Sequence, residues 1–242
     1  DRARLSAAST EPIRLLTEEA TGGVHFASFE LEPPSVIAPD GASRARWFLG
    51  EYRALLRTPD PATEWQLVRR ARDDRHLFFR QRHGGIPVFP SGLVVHLEGR
   101  RVVGIAGRYA PDLALDPEPR LSAAQAEAIA TTHAGAPLQQ LARTGLVVYA
   151  PALLDDRGVR PPRLAWAVRL DAEIVLVDAA SGAVLERLPR DASWFDLKLM
   201  NGDDDGPYSP GYKCWVPLTI WFDEHGYNAG SPDAEGWAAW NA

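Results

Sequence analysis

Between Trp65 and Arg108 the chain runs through short β-type stretches separated only by turn residues. The stretches are Trp65–Arg70, His76–Arg82, Pro87–Leu97 and Arg101–Arg108, and the punctuation is Asp73-Asp74, Gly84-Gly85 and Gly99. A parallel connection needs a crossover of a dozen or more residues, usually a helix, and no gap here is long enough. Consecutive strands must therefore pair antiparallel, as a meander, which rules out a parallel α/β fold. Within it Leu93, Val95 and Leu97 alternate with Val94, His96 and Glu98, the two-residue period that sorts side chains onto opposite faces. Glu98-Gly99-Arg100 is short enough to turn directly into Val102–Ile105.

A helix precedes this meander, and the same order then repeats. Trp47, Phe48, Tyr52, Leu55 and Leu56 recur at helical spacing from Ser43, and Pro59 and Pro61 mark the stop. After the loop Asp112–Pro119, Ser122 and Gln125 form a capping-box signature ahead of the Ala-rich helix Ala123–His133. Strands are then predicted at Leu146–Ala150, Leu164–Leu170, Ile174–Val177 and Ala183–Leu188, joined by Asp155-Asp156-Arg157-Gly158 and by Asp178-Ala179-Ala180-Ser181-Gly182. The expected class is α+β: two tandem modules, each a helix packed on an antiparallel sheet. Residues 1–36 form an N-terminal arm with one strand at Val24–Leu31, residues 37–115 the first module, residues 116–190 the second, and residues 191–242 an irregular Trp-rich segment.

That last segment breaks the pattern. From Arg190 the periodicity fails, Pro207, Pro210 and Pro217 interrupt the chain, and yet five of the eight tryptophans fall here: Trp194, Trp215, Trp221, Trp237 and Trp240. Large aromatics contribute strongly when buried, and this stretch has too little regular structure to bury them on itself. They are expected to pack on another surface, with Arg190, Trp194, Phe195, Trp215 and Trp221 as the contact residues.

The search for reactive constellations excludes more than it finds. The formal charge of −6 and the scattered arginines leave no electrostatic footprint for nucleic acid or for an anionic membrane. No apolar run approaches the roughly 20 residues needed to cross a bilayer. Residues 1–9 lack the charged-then-apolar pattern of a signal peptide, so export would imply a signal already removed. The single cysteine, Cys214, rules out an internal disulfide and a thiolate zinc site. His25, His76, His83, His96, His133 and His225 include no pair four residues apart with an adjacent glutamate, as a zinc-protease helix requires. Asn201–Gly206 matches the first half of a calcium loop, but Tyr212 stands where the bidentate carboxylate belongs. Ser43 and Ser209 lack a nucleophile-elbow context. Carboxylate pairs of the glycosidase kind are recognised by separation in space, and the carboxylates here read as surface charge. No catalytic residue, metal ligand or cofactor site is assigned to this chain.

The strand-turn-strand Leu77-Phe78-Phe79-Arg80-Gln81-Arg82-His83-Gly84-Gly85-Ile86-Pro87-Val88-Phe89, with Leu93–Leu97 after it, closely resembles the core motif of the fungalysin/thermolysin propeptide (FTP) domain. The carrying residues are Arg80, Gln81, Gly84, Gly85, Pro87, Val88 and Phe89, together with Gly107 at the end of Val103-Gly104-Ile105-Ala106-Gly107. The second module resembles a PepSY domain, through Leu164–Val168 and the hairpin from Val175 to Leu185 that contains Asp178 and Gly182. The resemblance spans roughly residues 15 to 190 and implies cystatin-like α+β folds, with Phe78, Val88, Val94 and Trp166 in the core. It further implies a pro-region of a secreted thermolysin-like zinc metalloprotease: intramolecular chaperone and inhibitor, non-catalytic, with the protease catalytic domain as partner. Zinc and calcium would belong to that partner alone. Trp221–Glu224 through Trp237–Asn241 resembles the opening stretch of the protease portion, so residues 191–242 are expected to be a linker and a truncated start of such a region. The competing expectation is a stand-alone exported interaction module, a protease inhibitor or a binder of cell-surface glycans.

Overall fold

The computed structural model describes residues 2–71, 74–134, 141–154, 160–170, 173–189, 220–223 and 226–229. The fold is α+β, dominated by antiparallel strands. Helix α1 (Arg2–Ala8) and strands β1 (Arg14–Thr17) and β2 (Val24–Leu31) open the chain. Helices α2 (Gly41–Glu51), α3 (Arg53–Leu56) and α4 (Pro61–Glu64) follow. The meander is β3 (Trp65–Arg70), β4 (His76–His83), β5 (Ile86–Phe89), β6 (Gly92–Glu98) and β7 (Arg101–Arg108). After α5 (Ala123–Ala134) come β8 (Leu141–Tyr149), a 3₁₀ turn at Pro151–Leu153, β9 (Arg163–Leu170), β10 (Glu173–Asp178) and β11 (Val184–Pro189).

The expected first helix is really two. It starts at Gly41, two residues before Ser43, because Asp40 caps it: the Asp40 carboxylate accepts from the Ser43 N–H at 3.0 Å and the Ser43 hydroxyl at 2.6 Å. It breaks at Tyr52, which leaves helical geometry at φ −107°, ψ 24°, and ends at Arg57 in the left-handed conformation before either proline is reached. The amphipathic face still docks as its spacing requires. Phe48 stacks between Phe29 at 4.9 Å and Tyr52 at 5.1 Å, over a core of Leu77, Phe79, Leu93, Val95 and Ile105.

The long run Pro87–Leu97 is likewise divided. Pro90, joined to Phe89 by a cis peptide bond, has no N–H for the ladder, and Ser91 turns the chain there. The Ser91 hydroxyl donates to Val88 O at 2.8 Å and accepts from the Gln81 N–H at 3.2 Å. This break sends β5 outward while β6 returns to pair with β4 and β7.

The strands form one sheet in the order β1-β2-β7-β6-β4-β5-β8-β9-β10-β11, with β3 on β4. The join between its two halves is a parallel pairing of β5 with β8, Val88 opposite Val148 and Phe89 opposite Tyr149. All other pairings described are antiparallel. A short hairpin, β12 (Ile220–Asp223) with β13 (Gly226–Ala229), stands apart from the sheet, and β13 lies against β3.

Cross-strand partners share a face. Following them from Phe79 and Leu93 through His83, Ile86, Val88 and Val148 to Val168, Val175 and Val177 shows that α2 and α5 lie on the same side of the sheet. Helix α5 opens with a reciprocal cap: Gln125 Oε1 accepts from the Ser122 N–H at 2.9 Å, and Ser122 Oγ accepts from the Gln125 N–H at 3.3 Å. Its Ala126 and Ala130 allow close approach to Val168, Leu170, Val175 and Val177. Trp166 is half-buried where two core clusters meet, and its indole N–H donates to Leu121 O at 2.9 Å.

Candidate functional site

The residues that carried the family resemblance gather at two places, the joint between the half-sheets and a turn on β10. At the joint, Gln81 is buried and uses its amide as a substitute peptide group: Nε2 donates to Ala110 O at 2.6 Å and Oε1 accepts from the Ala110 N–H at 2.9 Å. The chain leaving β7 is thereby fixed to β4, where no strand ladder could hold it. Gly84 and Gly85, at φ 54° and 81°, form the two-residue turn that only residues tolerant of positive φ make cheaply. Pro87, Val88 and Phe89 follow, with Val88 on the helix side and Phe89 on the opposite side, where it meets Tyr149 at 6.4 Å.

Gly107 has φ 150°, and a Cβ there would stand 2.1 Å from Gly92 O and 2.8 Å from Leu93 Cα. Strands β6 and β7 approach too closely for any side chain at that point. Next to it, Arg108 links three segments: its guanidinium pairs with Glu18 at 2.9 Å and donates to Leu153 O at 3.2 Å. The Tyr109 hydroxyl accepts from the Val24 N–H at 3.2 Å, and burial pushes that phenol up to about 12. Glu18, His25, Arg108, Tyr109 and Leu153 border a shallow dent with no room for a small ligand.

At the second place, buried Asp178 organises the turn to Gly182. Its Oδ1 accepts from the Ala180 N–H at 3.0 Å, the Ser181 N–H at 2.8 Å and the Ser181 hydroxyl at 2.9 Å. Oδ2 accepts from Arg163 at 3.2 Å. Burial pushes this carboxyl up, but the bonds from Ser181, Ala180 and Arg163 outweigh it and hold the group below the ordinary carboxylate value. Gly182 takes φ 77°, and a Cβ there would press on Ile129 of α5 at 3.0 Å.

The histidines are less isolated than their spacing in the chain indicates. His76 and His96 face each other across β4 and β6, Nδ1 to Nδ1 at 2.8 Å, so one ring donates and the other accepts. His96 is held down to about 3, first by burial and then by repulsion from His76. Twenty positions separate them, and only knowledge that β5 loops out before β6 returns to β4 would have paired them. Among the described residues no group of three His, Cys, Asp or Glu is placed to hold a metal ion, and no helix is long and apolar enough to cross a membrane.

Arg80 is buried on the face opposite α2. Of the expected contact residues, Arg190, Trp194, Phe195 and Trp215 lie outside the described residues, as do Cys214 and Asn201–Gly206. Trp221 falls in β12, opposite Asn228.

No family model matches the chain, and no curated protein matches it. Among solved structures it is similar to the C-terminal domain of YpeB from Bacillus megaterium, at 13% sequence identity and a TM-score of 0.33, over 78% of this chain and 93% of that one.

Proposed function

We propose that this chain is a non-catalytic pro-region of the FTP–PepSY kind, which assists the folding of a thermolysin-like zinc metalloprotease and holds it latent. The observation that carries this reading is the work done by the motif residues. Gln81, Gly84, Gly85, Gly107, Asp178 and Gly182 set backbone geometry at the joint and at the β10 turn. Such residues specify a shaped surface, which is what a folding template and inhibitor needs. Zinc and calcium belong to the partner protease, and the chain works outside the cytoplasm. Mixing the purified chain with an active thermolysin-like protease and following peptide hydrolysis tests the reading. Slow, tight inhibition is expected, and the absence of both inhibition and complex at micromolar concentration refutes it.

The five tryptophans after Arg190 favour one other reading, an exported module that binds cell-surface glycans through them. Retention on insoluble cell-wall polysaccharide without any effect on proteases selects it.

A further inference from the structure

The two histidines that meet across β4 and β6 stand on a main chain that is held on both sides. His76 and His96 are directly opposite each other in the antiparallel register, and β4 and β6 are both interior to the sheet. Beside the pair, the Ala71 N–H donates to His76 O at 2.9 Å and the Leu97 N–H donates to Arg75 O at 2.8 Å. Leu77, Val95 and Leu97, their neighbours along the two strands, belong to the core under α2, so both rings project from the opposite face. The 2.8 Å between the two Nδ1 atoms is therefore set by the register of two central strands and not by a loop.

A hydrogen bond uses only part of this geometry. Between two neutral imidazoles one ring donates and the other accepts, so a single proton sits between two nitrogens that can each offer a lone pair. A divalent ion in its place uses both lone pairs, and the ring that donated carries its proton at Nε2 instead, so both imidazoles stay neutral. With metal–nitrogen bonds of about 2.0–2.1 Å, nitrogens 2.8 Å apart subtend about 84–89° at an ion lying about 1.5 Å off the line between them. A tilt of the His76 ring, the less buried of the two, brings both lone pairs to that point. The angle is that of neighbouring ligands on a tetragonal ion, whereas a tetrahedral ion needs its nitrogens roughly 3.3 Å apart. Tetragonal nitrogen and oxygen sets suit copper(II) and nickel(II), with copper(II) the tighter, and suit zinc(II) less. Burial helps as well, because it keeps the His96 ring neutral down to about pH 3.

We propose that His76 and His96 are a chelating pair for a divalent cation of the copper(II) type, which clips β4 to β6 through the two Nδ1 atoms, with water in its remaining positions. The spacing of the histidines in the chain hides this pair, because its two ligands come from different strands. The inference does not rest on a protease partner and survives the loss of that reading.

Copper(II) alone, titrated into the untagged full chain at neutral pH, provides the test. One equivalent is expected to give a paramagnetic resonance signal coupled to two nitrogens. It should also broaden the methyl signals of Leu77, Val95 and Leu97 while sparing Val175 and Val177 of β10, which lies four strand spacings, about 19 Å, from β4. His76→Asn, at the less buried position, should weaken binding at least about tenfold and remove one nitrogen from the coupling. His133→Asn on α5 should change neither. Tight binding that His76→Asn leaves unaltered, or broadening centred on other residues, puts the ion elsewhere and overturns the proposal. So does the absence of one-to-one binding at micromolar copper. The broadening pattern is read in the unaltered chain, so the proposal stays open to refutation even where His76→Asn fails to fold.

Discussion

Lowering the pH below neutrality should destabilise this protein chiefly through His96, with His25, which burial also holds below its ordinary value, acting in the same direction. His96 sits in β6 with its Nδ1 2.8 Å from that of His76, and burial together with His76 holds it down to about 3, against an ordinary value of 6.5. The unfolded chain therefore takes up a proton near pH 6.5 that the folded chain refuses until about pH 3. Stability is fully present above 6.5, is lost progressively as pH falls, and the loss ends only near 3. The limiting slope is about 1.4 kcal/mol per pH unit, so from pH 6.5 to 5, above the range where most carboxylates titrate, the loss amounts to about 2 kcal/mol. With a urea m-value of about 2 kcal/mol/M, the unfolding midpoint moves down by about 1 M over that interval. His96→Asn keeps a polar group beside His76 but cannot take up the proton. The variant is less stable at pH 7, and its midpoint should change much less between pH 6.5 and 5. If wild type and variant show the same pH slope, His96 is not the titrating group and the reasoning fails.

Other positions give sharp expectations. Gly107→Ala drives a methyl group into Gly92 O and should cost about 3 kcal/mol or more in chemical denaturation, from overpacking and backbone strain together. Gln81→Leu strands the Ala110 N–H and C=O in the interior, and the expected loss is about 2–4 kcal/mol, with faster amide exchange along β7. Asp178→Asn removes the charge that collects the Ser181, Ala180 and Arg163 donors, at a cost of about 1.5–3 kcal/mol at pH 7. Because that carboxyl is held below its ordinary value, its contribution is present above the unfolded value and fades in acid, so the gap between wild type and variant should close as pH falls through the acidic range.

Much of the architecture could be read from local signals. The Ser122/Gln125 pair located α5 because a capping box is satisfied within one helical turn, and Gly84-Gly85 located the β4–β5 turn because the turn itself demands positive φ. What escaped was decided at a distance. The first helix is interrupted at Tyr52, whose ring contacts Phe48 and Trp47, while the helical spacing of Trp47, Phe48, Tyr52, Leu55 and Leu56 runs straight through the break. The strand Leu141–Tyr149 starts five residues before its apolar stretch does, since Leu141–Gly145 is drawn into the sheet by β9. The alternation in β6 sorted residues onto two faces, but both sets are buried, and the sequence of β6 says nothing about what lies above either. The His76–His96 contact depended on a register fixed by a turn elsewhere. Arg80, Pro87, Val88 and Phe89 were legible as a motif, but their place at the joint emerged only with the β5–β8 pairing.

That joint also bears on how the chain reaches its structure during synthesis. The first half can close on itself before β8 has been made, and β5 is then an open sheet edge, the kind of surface on which chains pair wrongly with one another. Two prolines guard it. Pro87 and Pro90 carry no N–H, which leaves Val88 and Phe89 between them as the stretch able to accept a neighbour, and these are the two residues that β8 later occupies. A nascent chain thus offers a docking edge two residues long: wide enough to receive its own second half, and too narrow to seed a stack of strangers.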